Sequence, residues 1–102
     1  MRMIIFFDLP VETAIQKRHY RQFRKYLIES GYFMMQYSVY SKIILNPQSM
    51  QYHRAKLLKQ LPPHGLVEAL VVTEKQYANI ETLVGNTIER DENHSTNRTM
   101  DL

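Results

Sequence analysis

The sequence of 102 residues contains no cysteine. Disulfide bonds, thiolate nucleophiles and zinc sites with thiolate ligands are therefore excluded, and the redox compartment is left open. Long hydrophobic runs are missing too: the N-terminal apolar run is broken by Asp8, which argues against a signal peptide, and no stretch approaches the roughly 20 apolar residues that span a bilayer. We therefore expect a soluble cytoplasmic protein with one small core, to which a partner subunit would add buried surface.

Acidic residues are scarce in the first part of the chain. Residues 1–60 carry ten Lys or Arg and three Asp or Glu, a net charge of +7, whereas residues 61–102 carry three and seven, a net charge of −4. Like charges are normally dispersed unless something compensates them, so this asymmetry indicates that a polyanion binds the first part of the chain.

The N-terminal third predicts a strand followed by a long helix. The apolar run 3–7 has the length of one β-strand, and the Leu-Pro pair after Asp8 ends it. Thr13 and Gln16 form a capping box that opens a helix over 14–30, which a glycine terminates. The face of this helix that we expect to pack inward consists of Ile15, His19, Phe23, Tyr26 and Leu27.

The rest of the chain predicts two more strand regions and two helices. The alternating segment 32–40 predicts a strand, with 42–45 as its continuation or hairpin partner. Asn46-Pro47 opens a second helix that a Pro-Pro pair stops. The dense apolar segment 65–73 predicts a strand buried on both faces. A second capping box then opens a short helix that ends at Gly85, with three inward-facing residues: Tyr77, Ile80 and Leu83.

The resulting order, βαββαβ with a short extra helix, predicts an α+β sandwich of the ferredoxin-like kind over residues 1–85, followed by a polar tail over 86–102. In this fold the first strand is central and both long helices cover one face of the sheet. The other face needs a cover, and a second copy of the chain is the simplest one, so we expect a homodimer.

Asp8 has two interpretations that the local sequence does not separate. An Asp before such a turn commonly accepts backbone N–H groups as a cap. Alternatively, it is an exposed site carboxylate at the carboxyl end of the central strand. Mg²⁺ usually takes one or two carboxylates with waters and substrate phosphates, so two facing Asp8 side chains of a dimer and a phosphodiester would suffice for one ion.

The first helix carries a row of bases without an acid. At 100° per residue these side chains fall in one arc of about 120°. A solvated face usually intersperses Glu, because like charges at i,i+4 repel each other. We therefore predict that this face contacts the phosphates of a nucleic acid, without reading its sequence, through Lys17, Arg18, Arg21, Arg24 and Lys25. Further bases, which either extend this row or face water, are Lys42, Arg54, Lys56 and Lys59.

These segments together resemble the CRISPR-associated protein two family, the small subunit of the spacer-acquisition machinery, in its type II form. The resemblance covers about residues 1–84. It lies in MRMIIFFDLPVET at the N-terminus, YRQFRKYLIESGY (20–32), QYSVYSKIILN (36–46) and VVTEKQYA (71–78). The C-terminal STNRTMDL departs from the hydrophobic last strand of that family, which puts strand exchange between subunits in question.

The resemblance implies a ferredoxin-like homodimer that bridges two dimers of the CRISPR integrase subunit and holds double-stranded prespacer DNA on its basic surface. It also implies that Asp8 matches the strand-one Asp credited with Mg²⁺-dependent endonuclease activity in some members, an activity that integration does not need in others. A scaffold role in spacer acquisition is thus the leading expectation, with Asp8 as candidate catalytic residue and metal ligand. The bases of the first helix match the family's basic helix in kind.

Two other functions stay open at this point. An RNA-binding βαββαβ module would stack bases on outward-facing aromatic residues of the sheet. Its candidates are Tyr32, Phe33, Tyr37 and Tyr40. A stand-alone toxin-like ribonuclease would need Asp8 and no integrase.

Overall fold

The computed structural model describes residues 1–85, which form a four-stranded antiparallel sheet with three helices. The strands follow the order β2-β3-β1-β4, so β1 is central, as the ferredoxin-like prediction requires. Within these residues none of the helices has both the length and the apolar character that a membrane span requires. The elements are β1 (Arg2–Asp8), α1 (Ala14–Glu29), β2 (Phe33–Gln36), β3 (Val39–Ile43), α2 (Pro47–Leu58), β4 (Leu66–Val72) and α3 (Glu74–Ala78).

Local capping fixes where α1 begins and ends. The Thr13 hydroxyl accepts from the backbone N–H of Gln16 at 3.1 Å, and the Gln16 side chain accepts from the backbone N–H of Thr13 at 3.0 Å. These bonds satisfy two of the donors that a helix N-terminus leaves free. Gly31 follows the helix with φ +93°, a conformation that favours glycine. Both predicted boundaries of this helix are confirmed to within one residue.

The core lies between the sheet and the two long helices. Alternate residues of β1, namely Met3, Ile5 and Phe7, belong to one buried cluster with residues of α1 and α2, namely Phe23, Leu27 and Leu57. Both helices therefore cover the same face of the sheet, as predicted. The inward placement predicted for Ile15 is wrong, because this residue lies at the edge of the apolar arc, in the first turn, and is exposed.

The second strand region is a tight hairpin rather than one long strand. The chain turns at Tyr37 and Ser38, inside the segment 32–40 that the sequence predicted as continuous. Ser38 adopts φ 65°, the left-handed conformation that a hairpin turn usually obtains from Gly, Asn or Asp. Because residues 32–40 contain no Gly, Asn or Asp, the sequence did not predict a turn there.

The predicted burial of β4 on both faces is wrong for residues 1–85. This strand lies at the edge of the sheet, and the long helices cover only one side of it, so Leu66 and Leu70 remain about half exposed. The extent predicted for the last helix is also wrong. Its final residue is Ala78 and not Gly85, because Asn79 caps it, and of the three residues expected inside only Tyr77 is buried.

Candidate functional site

The basic face of α1 is exposed along its whole length. All five of its bases, Lys17, Arg18, Arg21, Arg24 and Lys25, are exposed. In the described part of the chain the row has one ion pair, between Lys25 Nζ and a carboxylate oxygen of Glu29 at 3.9 Å. Two buried residues, Phe23 and Leu27, hold the opposite side of the helix on the sheet. Among residues 1–85 the arrangement leaves a strip of positive charge with almost no compensating acid.

Two other bases have structural positions. Lys42 Nζ donates to the backbone carbonyl of Ser30 at 2.7 Å and thereby closes the C-terminus of α1 instead of extending the basic row. The guanidinium of Arg2 is buried 4.0 Å from the ring centroid of Tyr77, and its Nε donates to the carboxylate of Glu74. Arg2 therefore fastens α3 to the face of the sheet opposite the long helices. The other bases expected near the row, Arg54, Lys56 and Lys59, are exposed on or just after α2.

Asp8 is the last residue of β1, and its side chain is exposed on the face opposite the core. Side chains alternate along a strand, and Phe7 belongs to the core cluster. Within residues 1–85 the Asp8 carboxylate has neither a hydrogen-bond nor an ion-pair partner, so it does not act as a cap. An exposed carboxylate with free lone pairs is available to a ligand.

A cleft of about 250 Å³ surrounds Asp8. Its walls come from β1, the β2–β3 turn and β4, and consist of Phe6, Phe7, Asp8, Tyr37, Ser38, Val39, Leu66 and Glu68. Glu68, which was not among the predicted site residues, stands opposite Phe6 in the β1–β4 register and thus shares a face with Asp8. The alternation of side chains along β4 could place Glu68 on one face of the strand. Only the pairing of β4 with β1 shows that this is the face of Asp8.

The donor set of this cleft suits a hard cation only in part. Carboxylate oxygens are ligands that Mg²⁺ accepts, and Asp8 and Glu68 supply two such groups. No group of three potential metal-ligating side chains occurs within residues 1–85. Any metal held here would therefore complete its shell with water, substrate phosphates or a second copy of the chain, and the residues present fit Mg²⁺ on those terms.

A glycine keeps this end of the sheet closed. Gly65 directly precedes β4 and has φ +98°. A Cβ at this position would lie 2.8 Å from the backbone oxygen of Asp8 and 2.7 Å from Leu9 Cδ2. Any other residue would force β4 away from the end of β1. Gly65 therefore helps to position the Asp8 backbone.

The sheet face that carries Asp8 is apolar and only partly covered. The docking of Arg2 against Tyr77 and Glu74 places α3 over one end. Residues of three strands remain exposed beyond it, namely Phe6, Ile43, Leu66 and Leu70. We call these four residues the open apolar face. Their position agrees with the expectation that this face needs a cover.

Two titratable groups away from the cleft have shifted pKa values. Burial raises the pKa of the Tyr32 hydroxyl well above its usual value, with a smaller contribution from Tyr26. Burial lowers the pKa of His53, and the neighbouring charges of Lys42 and Lys56 lower it further. Neither group lines the Asp8 cleft.

Comparison with known proteins identifies the family. The profile described as CRISPR associated protein Cas2 matches residues 1–80. A Treponema denticola protein named CRISPR-associated endoribonuclease Cas2 is 53% identical over 85 residues, which cover 83% of this chain and 84% of the relative. A Ligilactobacillus salivarius protein of the same name is 43% identical over 102 residues, all of both chains. A crystal structure of Streptococcus pyogenes Cas2 has the same fold, with a TM-score of 0.63 at 18% identity over 82% of this chain and 100% of that one. The chain therefore belongs to the CRISPR-associated Cas2 family.

Proposed function

We propose that this chain is a scaffold subunit of CRISPR adaptation, which dimerises, binds double-stranded prespacer DNA on α1 and bridges dimers of the integrase subunit. The observation that carries the DNA-binding part is the exposed row of five bases, which has a single long ion pair within residues 1–85. Family membership supports the link to adaptation and to the integrase.

The dimensions of the row suit a duplex backbone. Residues 17–25 span about 12 Å along the helix axis, at about 1.5 Å per residue. B-DNA carries one negative charge per about 1.7 Å of its axis, so this length faces about seven phosphate charges. Five bases can therefore each reach a phosphate. The three arginines can also bind phosphate oxygens in a bidentate manner.

Dimerisation would use the open apolar face. Large apolar patches on a small protein usually mark interaction sites, and a self-complementary face is the simplest solution for a twofold dimer. Such a dimer carries two copies of α1, and thus ten bases for one duplex.

The proposal is tested by reversing charge on α1 and measuring the salt dependence of duplex binding. In the dimer, Arg18→Glu with Arg21→Glu removes four phosphate contacts, each of which contributes about 0.9 to the slope of log K against log salt. We expect weaker binding and a slope that is smaller by about 3 to 4.

The matched control is Arg54→Glu with Lys59→Glu, which changes the net charge by the same amount at exposed positions in the α2 region. Charges beyond the Debye length, about 8 Å at physiological salt, contribute little. We expect the control to keep the wild-type slope. An unchanged slope in the α1 variant, or an equal change in both variants, would contradict the assignment.

A second candidate function is metal-dependent phosphodiester cleavage at Asp8. The relatives are named endoribonucleases, and the Asp8 carboxylate is exposed without a partner among residues 1–85. Here Asp8 would hold Mg²⁺ together with substrate phosphate. The ion would polarise the phosphorus and lower the pKa of a bound water.

Asp8→Asn separates the two functions. If Asp8 binds the ion, Mg²⁺-dependent cleavage of RNA or DNA should fall by more than about 100-fold, the upper range for the loss of an outer-shell partner. Spacer integration in cells should persist, because the scaffold needs only the fold and α1. The control is Glu12→Gln, an exposed carboxylate outside the cleft. Full cleavage by Asp8→Asn would contradict the catalytic assignment, and lost integration would contradict the scaffold assignment.

The RNA-binding module finds little support in the sheet aromatics. Tyr32 and Tyr40 are buried, and Phe33 is partly buried. Of the four candidate residues only Tyr37 is largely exposed, which is too few for a stacking platform across the sheet. The same integration assay tests the toxin-like ribonuclease, because such an enzyme would need Asp8 but would have no role in integration.

A further inference from the structure

A second group of positive side chains lies between β3, α2 and the C-terminal end of α1. Lys42 stands opposite Met3, a core residue, so its side chain lies on the helix side of the sheet. His53 lies one helical turn before the buried Leu57 and therefore shares the inner face of α2. Lys56 is three residues after His53 and is its neighbour on the helix surface. We call Lys42, His53 and Lys56 the β3–α2 cluster.

Contacts within the fold hold the cluster in place. Lys42 Nζ donates to the backbone carbonyl of Ser30 at 2.7 Å, which uses one of the three donors of its ammonium group. The ammonium of Lys56 lies 5.3 Å from the ring centroid of Tyr52, within the range of a cation–π interaction. The ring of Tyr52 in turn meets the ring of His53 edge-on, with 5.1 Å between centroids. The cluster is therefore an ordered group of donors.

No acid compensates this cluster within the described part of the chain. Between residues 30 and 67 the sequence has four Lys or Arg and no Asp or Glu, and neither lysine of the cluster forms an ion pair within residues 1–85. Burial lowers the pKa of His53, and the charges of Lys42 and Lys56 lower it further. Like charges that the fold holds together without a counter-charge indicate a binding site for an anion.

The position of the cluster indicates where the anion comes from. Lys42 is bonded to the carbonyl of Ser30, which lies about 7.5 Å along the helix axis beyond Lys25, the last base of the row, at about 1.5 Å per residue. One strand of a duplex carries a phosphate about every 3.4 Å of its axis. A strand that runs along α1 would thus bring about the second phosphate beyond the row to the cluster. Dimerisation through the open apolar face leaves the cluster accessible, because it lies on the helix side of the sheet.

We propose that the β3–α2 cluster is a phosphate-binding site, in which Lys42, His53 and Lys56 hold one backbone phosphate of the nucleic acid beyond the end of the α1 row. This inference deepens the proposed DNA binding and rests on it for the source of the phosphate. A phosphate next to His53 stabilises the protonated imidazole against the two lysines, so binding takes up a proton at this residue. The contact would fix the direction in which the strand leaves α1.

An NMR titration of His53 tests the site directly. The side-chain resonance of His53, assigned by its absence in His53→Gln, is followed against pH in the free dimer, with a short DNA duplex and with inorganic phosphate at the same ionic strength. We expect the duplex to raise the pKa of His53. His64 is the internal reference, because it lines a cleft with Leu9 and Pro10 at the other end of the sheet.

Lys56→Gln tests the same contact through the salt dependence of duplex binding. The substitution removes one phosphate contact per protomer and thus two per dimer, so we expect the slope of log K against log salt to be smaller by about 1.8. The matched control is Lys59→Gln, which removes the same charge from an exposed position just after α2 and should keep the wild-type slope. Lys42 is left unchanged in both proteins because it also closes α1.

The proposal is overturned if the duplex leaves the pKa of His53 unchanged, if Lys56→Gln keeps the wild-type slope, or if Lys59→Gln changes the slope equally. A rise at His53 with inorganic phosphate but not with the duplex would also overturn it, because the cluster would then serve a free phosphate. A failure of the α1 assignment is seen separately. In that case Arg18→Glu with Arg21→Glu keeps the wild-type slope although Lys56→Gln reduces it.

Discussion

Leu70 provides a direct test of the subunit interface. It lies on β4 directly opposite Ile4, on the open apolar face, and is 51% exposed. On α2, outside this face, Leu58 is also 51% exposed. The same substitution at these two positions therefore removes equal apolar surface from two different surfaces of the protein.

The magnitude follows from the exposed fraction. Full burial of a leucine side chain stabilises by about 1.5–3 kcal/mol, so burial of the remaining half is worth about 1 kcal/mol. A twofold dimer contains each residue twice, which gives about 2 kcal/mol, or about a 30-fold change in the dimer dissociation constant for Leu70→Ala. Leu70→Glu should weaken the dimer further, because it places two carboxylates in an apolar interface.

Sedimentation equilibrium over a wide concentration range measures this constant. We expect Leu58→Ala and Leu58→Glu to dimerise like the wild type, and circular dichroism to show the same secondary structure in all four variants. If the Leu58 variants weaken the dimer as much as the Leu70 variants, or if Leu70→Glu has no effect, the open apolar face is not the interface. A wild-type chain that is monomeric at all concentrations would refute the dimer itself.

Two further predictions concern stability. Tyr32→Phe should raise the free energy of unfolding by about 1 kcal/mol, because the buried Tyr32 hydroxyl has no hydrogen-bond partner among residues 1–85; an unchanged or lower value in urea unfolding would count against this. His53 has a folded-state pKa below its ordinary 6.5, so the unfolded chain binds protons more readily and stability falls as the pH drops below 6.5. His53→Gln should reduce the stability lost between pH 7 and pH 5, and an identical loss in both proteins would contradict the cause.

The parts of the fold that were predictable depend on short-range signals. Thr13 with Gln16, and Asn46 with Pro47, mark helix starts through contacts within one turn, so the sequence is sufficient to recognise them. The basic row is equally local, because helical geometry alone places its members on one face. The position of Asp8 at the end of the central strand follows once the order of elements is known, whereas the sequence left open whether its side chain caps the turn or is exposed.

The parts that were missed depend on tertiary context. The hairpin turn places Ser38 in a left-handed conformation, which the residue type does not predict. The exposure of β4 follows from its place at the sheet edge, which no property of its own residues reveals. Lys42 reaches Ser30 only because the hairpin folds back toward the end of α1. Glu68 joins Asp8 through the register of two strands that are distant in sequence. The predicted polar tail, 86–102, lies outside the described residues.

The close approach at Gly65 affects how a mutational screen of this protein would be interpreted. An alanine at that position would press on the backbone oxygen of Asp8 and shift this residue, although it adds no charge and removes no side chain from the cleft. Under the functions proposed for Asp8 and α1, such a substitution should mimic the loss of Asp8 in a cleavage assay while sparing duplex binding. Position 65 would then score as an active-site residue although it has no side chain with which to take part in the reaction.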